Sequence, residues 1–156
     1  MKKVMFISST GGHLSELLQL QPIFDEYDYH IVTEKTKSNI KLMDRFPNRI
    51  SFVKYGTKHN LFTYFFIFPF NCILCLILYI RLKPDVVVST GAHTGIPMLY
   101  IAHFFKKKVV FIETFANIRT KSLSGKLAYK IADTFIVQWE SMLELYPDAI
   151  YAGWIF

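Results

Sequence analysis

Short apolar runs alternate with longer helical segments along the chain. Runs rich in β-branched and aromatic residues predict strands at 2–8, 29–34, 50–55, 85–90, 108–114 and 133–139, and helical spacing or length predicts helices at 13–20, 38–46, 58–82, 95–105 and 122–132. Nearly continuous apolar strands that alternate with helices are typical of a parallel sheet covered on both faces. We therefore predict an α/β fold, a Rossmann-like open parallel sheet of six strands, with a seventh if residues 149–153 add an edge.

Length, composition and charge narrow the class of protein. The 156 residues predict a single domain over 1–156. The apolar fraction of 52% and the formal charge of +6 favour contact with an anionic membrane surface or a phosphorylated ligand. Lys and Arg are scattered and form no basic stripe, so nucleic acid is not an expected partner. Cys72 and Cys75 have no second cysteine pair, so we predict two inert thiols and no metal site. No cofactor is expected.

Three glycine-rich or polar loops follow predicted strands, and the carboxyl ends of parallel strands are where such sheets bind ligands. In the first, Gly11 and Gly12 let the backbone approach an anion, and the first-turn N–H groups of the next helix point at it. His13 stays neutral beside the positive helix end, so it can donate to a phosphate or accept a proton. The alternative is a tight strand-to-helix turn with His13 as a cap.

The first loop fits nucleotide-binding motifs only in part. It is not a Walker A loop, because no Gly-Lys-Ser/Thr follows. Glu34 lies at roughly the spacing of the acidic residue in a dinucleotide fingerprint, but Ser15 stands where the third glycine should be.

The second loop repeats the logic of the first, with Gly91 and Gly95 flanking His93 and Thr94. Two such loops on one edge favour an anion site, although His93 alone is also compatible with a surface loop.

The third loop adds charged side chains. Glu113 ends a strand, where it can orient a sugar hydroxyl, act as a base or be a solvated strand end. Arg119 and Lys121 can pair with a diphosphate or be ordinary surface residues.

Residues 61–80 contain no charge, and this uncharged run is as long as a bilayer-spanning helix. If this helix spanned the bilayer, strands one to three and four to six would lie on opposite sides and could not share a sheet. We therefore predict a helix kinked at Pro69 that belongs to the fold and turns its apolar side to the bilayer interface. The alternative is a wholly buried core helix. The candidate membrane contacts are Phe62, Phe65, Phe66, Phe68 and Phe70.

Four segments, 9–20, 85–97, 109–147 and 149–156, resemble the membrane-associated subunit of two-component glycosyltransferases, and the run 113–139 is the most specific. That family includes bacterial capsule and exopolysaccharide subunits that assist a β-1,4-galactosyltransferase, and the membrane-anchor subunit of the eukaryotic dolichol-pathway N-acetylglucosaminyltransferase. The glycine-glycine-histidine loop is also similar to one in the lipid-diphosphate N-acetylglucosaminyltransferase of peptidoglycan synthesis.

The resemblance implies the acceptor-side, N-terminal half of a GT-B glycosyltransferase, which needs a donor-binding partner subunit to move a sugar from a UDP-sugar to a polyprenyl-diphosphate-linked acceptor in capsular or exopolysaccharide synthesis. His13 and Glu113, which can each accept a proton, are the catalytic candidates. The implied contacts of the acceptor diphosphate are Gly11, Gly12, His13, Gly91, His93, Thr94, Gly95, Asn117 and Arg119.

The eukaryotic subunit has an N-terminal transmembrane helix, whereas this chain begins directly in strand one. We therefore expect residues 61–80 to provide the attachment, peripheral or monotopic, at the cytoplasmic face of the cell membrane. Two other functions stay open: a stand-alone nucleotide-binding Rossmann protein, and a non-catalytic membrane scaffold that recruits the transferase.

Overall fold

A computed structural model describes residues 1–56 and 61–155 and forms a seven-stranded parallel sheet with helices on both faces. The strands are β1 (Lys3–Ser8), β2 (Asp28–Lys35), β3 (Ile50–Lys54), β4 (Val86–Gly91), β5 (Lys108–Ile112), β6 (Thr134–Val137) and β7 (Ile150–Tyr151), and the helices are α1 (Gly12–Gln19), α2 (Leu42–Arg45), α3 (Leu61–Leu82), α4 (Ile96–Phe104) and α5 (Leu123–Ala128). Short 3₁₀ helices occupy Gln21–Glu26 and Glu140–Glu144. The predicted Rossmann-like fold is confirmed, and β7 is the seventh strand.

The strand order is β3-β2-β1-β4-β5-β6-β7, so the direction of winding reverses between β1 and β4. In open α/β sheets ligands bind at this reversal, outside the carboxyl ends of the strands. The loops after β1 and β4 therefore meet at the position where this fold class forms its crevice.

Alternation along each strand divides the core between the two faces of the sheet. In β1, Phe6 packs with Leu17 of α1 and with Phe24, whereas Ile7 packs on the other face with residues of α3, α4 and α5, including Tyr79. Each face is thus covered by its own set of helices, and α3 lies on the face opposite α1 and α2.

Helix α3 exposes most of its apolar surface. Asn71, Cys75 and Tyr79, spaced four apart, face the protein, while the opposite side exposes Phe65, Phe66, Phe70, Ile73, Ile77 and Ile80. Within the described residues one helical window, Phe65–Leu82, is long and apolar enough to cross a bilayer, and only 17% of it is buried. The alternative of a wholly buried core helix is therefore wrong. The helix continues through Pro69, and the side chain of Phe62 lies outside the described part of the chain.

The helix predicted over 38–46 is reduced to the single turn α2. The preceding residues form hydrogen-bonded turns, in which Asn39 and Ile40 donate their backbone N–H groups to Thr36 O. The Asn39 side chain donates to Thr10 Oγ1 at 2.8 Å and to Glu34 O at 3.2 Å. Side-chain bonds of this kind compete with helix formation, and here they attach the segment to the loop after β1.

Candidate functional site

The loops after β1 and β4 are joined through Ser9, a residue that the sequence analysis did not select. Its N–H donates to Gly91 O at 2.9 Å, and its buried hydroxyl accepts from the N–H groups of Ala92 at 3.2 Å and Thr94 at 3.4 Å. The two glycine loops that were predicted to share an anion site are therefore in direct contact.

His13 is held against β4 by two reciprocal bonds. Its Nδ1 lies 2.8 Å from Thr90 O, and the Thr90 hydroxyl donates to His13 O at 2.7 Å. A carbonyl only accepts, so Nδ1 carries the proton and Nε2 of the neutral ring is an acceptor. Gly91, at φ +95°, makes room for this ring, because a Cβ there would lie 3.2 Å from it.

Gly11 and Gly12 leave the start of α1 open. Gly11 is the N-cap residue at φ +79°, a conformation that favours glycine, and both glycines are exposed. A Cβ on either would meet no atom within 4 Å. The first N–H groups of a helix have no intrahelical acceptor, so this open end has the geometry of an anion site.

Glu34 fastens three loops from inside the protein. Its carboxylate is 1% exposed, and Oε2 accepts from Thr10 N–H at 3.0 Å. Oε1 accepts from the Thr94 hydroxyl at 2.8 Å and from Gly56 N–H at 3.4 Å, and it lies 3.6 Å from His93 Nε2. The acidic residue of a dinucleotide site would face a ribose, but this carboxylate faces the protein interior. That orientation counts against the dinucleotide fingerprint.

Glu113 is also buried, at 2% exposure, at the end of β5. Oε1 accepts from Thr114 N–H at 3.0 Å and from the Ser122 hydroxyl at 2.7 Å, and Oε2 accepts from the Tyr146 hydroxyl at 2.8 Å. Burial and the neighbouring Glu113 charge raise the pKa of Tyr146. Both carboxylate oxygens thus hold the start of α5 and the Tyr146 ring, and a catalytic role for Glu113 stays a prediction.

Replacing Gly125 by alanine is expected to destabilise the fold by about 3 kcal/mol. A Cβ at this position would overlap Glu113 Oε2 and lie 2.5 Å from the Tyr146 hydroxyl, so the buried carboxylate would have to move. Urea unfolding measures the change. Gly12→Ala is the matched control, because its Cβ meets open space, and its free energy of unfolding should change by less than about 0.5 kcal/mol. Equal stability of the two variants would contradict the role given to Glu113.

The loop after β5 reaches α1 through Glu16, another residue that the sequence analysis missed. Glu16 Oε1 accepts from the Thr114 hydroxyl at 2.8 Å and from Phe115 N–H at 3.0 Å. On this loop Asn117 is half-buried and Arg119 is exposed. Lys121 instead lies over the Tyr146 ring, with Nζ 4.8 Å from its centroid.

Curated relatives match between about half and nearly all of the chain. The UDP-N-acetylglucosamine transferase subunit ALG14 of Mus musculus is 27% identical over 182 residues, covering 97% of this chain and 82% of that protein. The Schizosaccharomyces pombe subunit is 28% identical, with the same coverage. The Homo sapiens subunit is 37% identical over 79 residues, which cover 47% of this chain.

Solved structures share the fold at low sequence identity. Acinetobacter baumannii MurG superposes with a TM-score of 0.72 at 16% identity, covering 90% of this chain and 43% of that one. Staphylococcus aureus MnaA, solved with UDP, gives 0.73 at 14% identity and also covers 43% of its own chain. This chain thus spans less than half the length of these two solved proteins.

The sheet order, the glycine loops at its reversal and the curated relatives agree with one family assignment. The model described as "Oligosaccharide biosynthesis protein Alg14 like" matches residues 4–155. The chain therefore belongs to the Alg14-like family of oligosaccharide biosynthesis proteins.

Proposed function

We propose that this chain is the acceptor-binding, membrane-associating subunit of a two-component glycosyltransferase that moves a sugar from a UDP-sugar to a polyprenyl-diphosphate-linked acceptor. The observation that carries the proposal is the open start of α1 at the sheet's reversal, with His13 fixed beside it by Thr90. The relatives are named as subunits of UDP-N-acetylglucosamine transferases. We accordingly propose N-acetylglucosamine as the sugar transferred.

The diphosphate of the acceptor fits the open end of α1 for electrostatic reasons. The N–H groups at the helix start and the positive end of its dipole attract an anion, and the two exposed glycines allow close approach. Arg119, exposed on the loop after β5, supplies a cation for the same group. His13 Nε2 is the acceptor available for the proton of an attacking hydroxyl, which makes His13 the catalytic candidate we retain. We assign Glu113 a positioning role instead.

Helix α3 supports delivery of a lipid-linked acceptor to this edge. Its Asn71 side chain bonds the N–H and C=O of Lys54, the last residue of β3, at 3.0 and 2.8 Å. Phe65 precedes Asn71 by six residues, so at 1.5 Å per residue it lies about 9 Å further along the axis, beyond the carboxyl end of β3. The exposed aromatic end of α3 thus projects beyond the carboxyl ends of the strands, which is the edge of the sheet where the proposed anion site opens.

The charges near this helix suit a membrane interface. Lys54 Nζ lies 4.2 Å from the centroid of the Phe70 ring, where its charge can meet headgroups while the ring meets acyl chains. Arg81 and Lys83 are exposed where α3 ends. Basic residues at both ends favour a helix that lies on one side of the bilayer, and we propose the cytoplasmic face.

A partner subunit would complete the cleft and bind the UDP-sugar. An aromatic cluster near the end of the chain offers it a docking surface: Phe115, Trp139 and Trp154 have ring centroids 4.9 to 5.3 Å apart, and Trp154 is 58% exposed. Exposed tryptophan is common in the energetic centres of interfaces. A capsular or exopolysaccharide product remains part of this proposal, and its test is the polysaccharide made in cells that lack the chain.

His13→Ala is expected to raise the acceptor KM of the assembled enzyme and to lower kcat by about 10²-fold, the usual contribution of a general base, while the donor KM stays unchanged. Steady-state transfer to a lipid-diphosphate acceptor, measured with the partner present, gives these constants. His103→Ala is the matched control, because His103 is exposed on α4. Unchanged kinetics in a folded His13→Ala complex would mean that the first glycine loop is only a strand-to-helix turn, and would favour the scaffold alternative.

A further inference from the structure

Glu16 is a buried acid that neither the motifs nor the proposed chemistry uses. It lies on α1, one turn after His13, and its side chain is only 3% exposed. Burial raises the pKa of this carboxyl, and the nearby Glu113 charge adds to the effect, although the bonds from Thr114 and Phe115 and the nearness of His13 oppose it. Burying a carboxyl group in such a place lowers the stability of the fold unless hydrogen bonds offset its desolvation.

Those contacts all reach the loop after β5. Oε1 accepts both bonds from that loop, whereas Oε2 is buried and has no hydrogen-bond partner within the described residues. Thr114 is hydrogen-bonded on two sides, since its hydroxyl donates to Glu16 and its N–H donates to Glu113. Glu16 is therefore the group that attaches this loop to α1.

The same loop is also attached to residues that follow β6. Trp139 Nε1 donates to Phe115 O at 2.8 Å, and the Ser141 hydroxyl donates to Ile118 O at 2.7 Å. The loop is thus bonded to Glu16 through Thr114 and Phe115, and to the residues after β6 through Phe115 and Ile118. Loss of the bonds to Glu16 would detach the loop from α1, the helix that carries His13, while its bonds to the residues after β6 remain.

We propose that Glu16 is a positioning residue for the acceptor: it fixes the loop bearing Asn117 and Arg119 at the helix end that carries His13. This inference rests on the proposed function, because Glu16 would set the distance between the start of α1 and the loop after β5, which together bind the diphosphate in that proposal. Glu16 acts through the loop and through α1 and does not itself touch the acceptor.

Glu16→Leu in the assembled enzyme is expected to raise the acceptor KM about tenfold, the worth of one or two buried hydrogen bonds, with the donor KM unchanged. Glu16→Gln is the matched variant, since its amide oxygen can still accept from Thr114 and Phe115, and it should stay within about threefold of wild type. Equal acceptor KM values for wild type and a folded Glu16→Leu enzyme would overturn the proposal, as would equal defects in the leucine and glutamine variants.

Thr114→Val removes one of the two bonds to Glu16 from the loop side, the bond from the Thr114 hydroxyl, and serves also if Glu16→Leu fails to fold. In a double-mutant cycle the two changes should be strongly non-additive, because each breaks one shared bond. Full additivity would overturn the proposal.

Hydrogen exchange of the amides of 115–119 in the isolated chain gives a readout that needs no transfer activity. It should speed up in Thr114→Val and in Glu16→Leu but not in Glu16→Gln. Unchanged exchange in all three contradicts the attachment even if wild type transfers sugar, whereas faster exchange in an enzyme with no transfer separates a correct attachment from a wrong proposed function.

Discussion

Replacing Phe65 and Phe66 together by aspartate is expected to release the protein almost completely from anionic vesicles. The two rings are 72% and 61% exposed on the outer side of α3, so they are available to lipid without any rearrangement. Burying a phenylalanine in an apolar phase is worth about 2 kcal/mol, and an aspartate adds a penalty, so the partition coefficient should fall at least about 10³-fold. Flotation with vesicles that contain anionic lipid measures the bound fraction.

The matched control is Ile23→Asp with Met43→Asp, which makes the same change of charge on exposed apolar residues of the opposite face. This variant should float with the vesicles as wild type does. Equal release of both double variants would mean that general charge, rather than α3, governs binding. A wild-type protein that stays out of the lipid fraction would contradict the membrane proposal altogether.

The sequence predicted the layout of the fold well because the strong signals are local. Runs such as 85–90 are nearly continuous in β-branched residues, which only a sheet buried on both faces favours. The outward face of α3 was also foreseeable, since six strands offer too little surface to cover so many aromatics. The predicted helix at 38–46 failed because Asn39 bonds Thr10, 29 residues away, and a local pattern carries no trace of that contact.

The site was predicted at the level of loops and only partly at the level of residues. An unusual local pattern made Gly11, Gly12 and His13 predictable from the sequence, and we retain them as candidates. Glu16 was missed because its partners lie 98 and 99 residues away and a lone acid on a helix usually faces solvent. Glu34 was selected by its spacing as the acid of a dinucleotide fingerprint, but its burial between three loops depends on partners 22 to 60 residues away. The available signal for Glu16 was position alone, since it follows the glycine loop by one turn.

The isolated chain is expected to transfer no sugar from UDP-N-acetylglucosamine, and this is the second large effect. Its fold covers 43% of the length of each of the two solved structures named above, and the candidate acceptor loops lie open at one edge of one sheet. Transfer needs preorganised groups on the leaving diphosphate and a cleft closed against water. A chain that supplies the acceptor side alone lacks the groups that stabilise the leaving diphosphate and forms only one wall of the cleft. Its rate of transfer should therefore be below detection.

Two variants separate this requirement for a partner from simple instability. Trp154→Ala removes an exposed ring of the aromatic cluster and should weaken association with the partner, because a central tryptophan is often worth 2 kcal/mol or more, roughly thirtyfold in Kd. Leu123→Ala, an exposed apolar residue at the start of α5, is the control and should associate normally. Reduced transfer by Trp154→Ala should return when the partner is supplied in excess.

Reconstitution tests the central claim most directly. Purified chain, UDP-N-acetylglucosamine and a polyprenyl-diphosphate acceptor are combined in anionic vesicles, with and without the donor-binding subunit, and the glycosylated lipid is quantified. We expect no product from either protein alone and steady transfer on mixing, abolished or strongly reduced by His13→Ala. Transfer by the isolated chain at the rate of the mixture would contradict it.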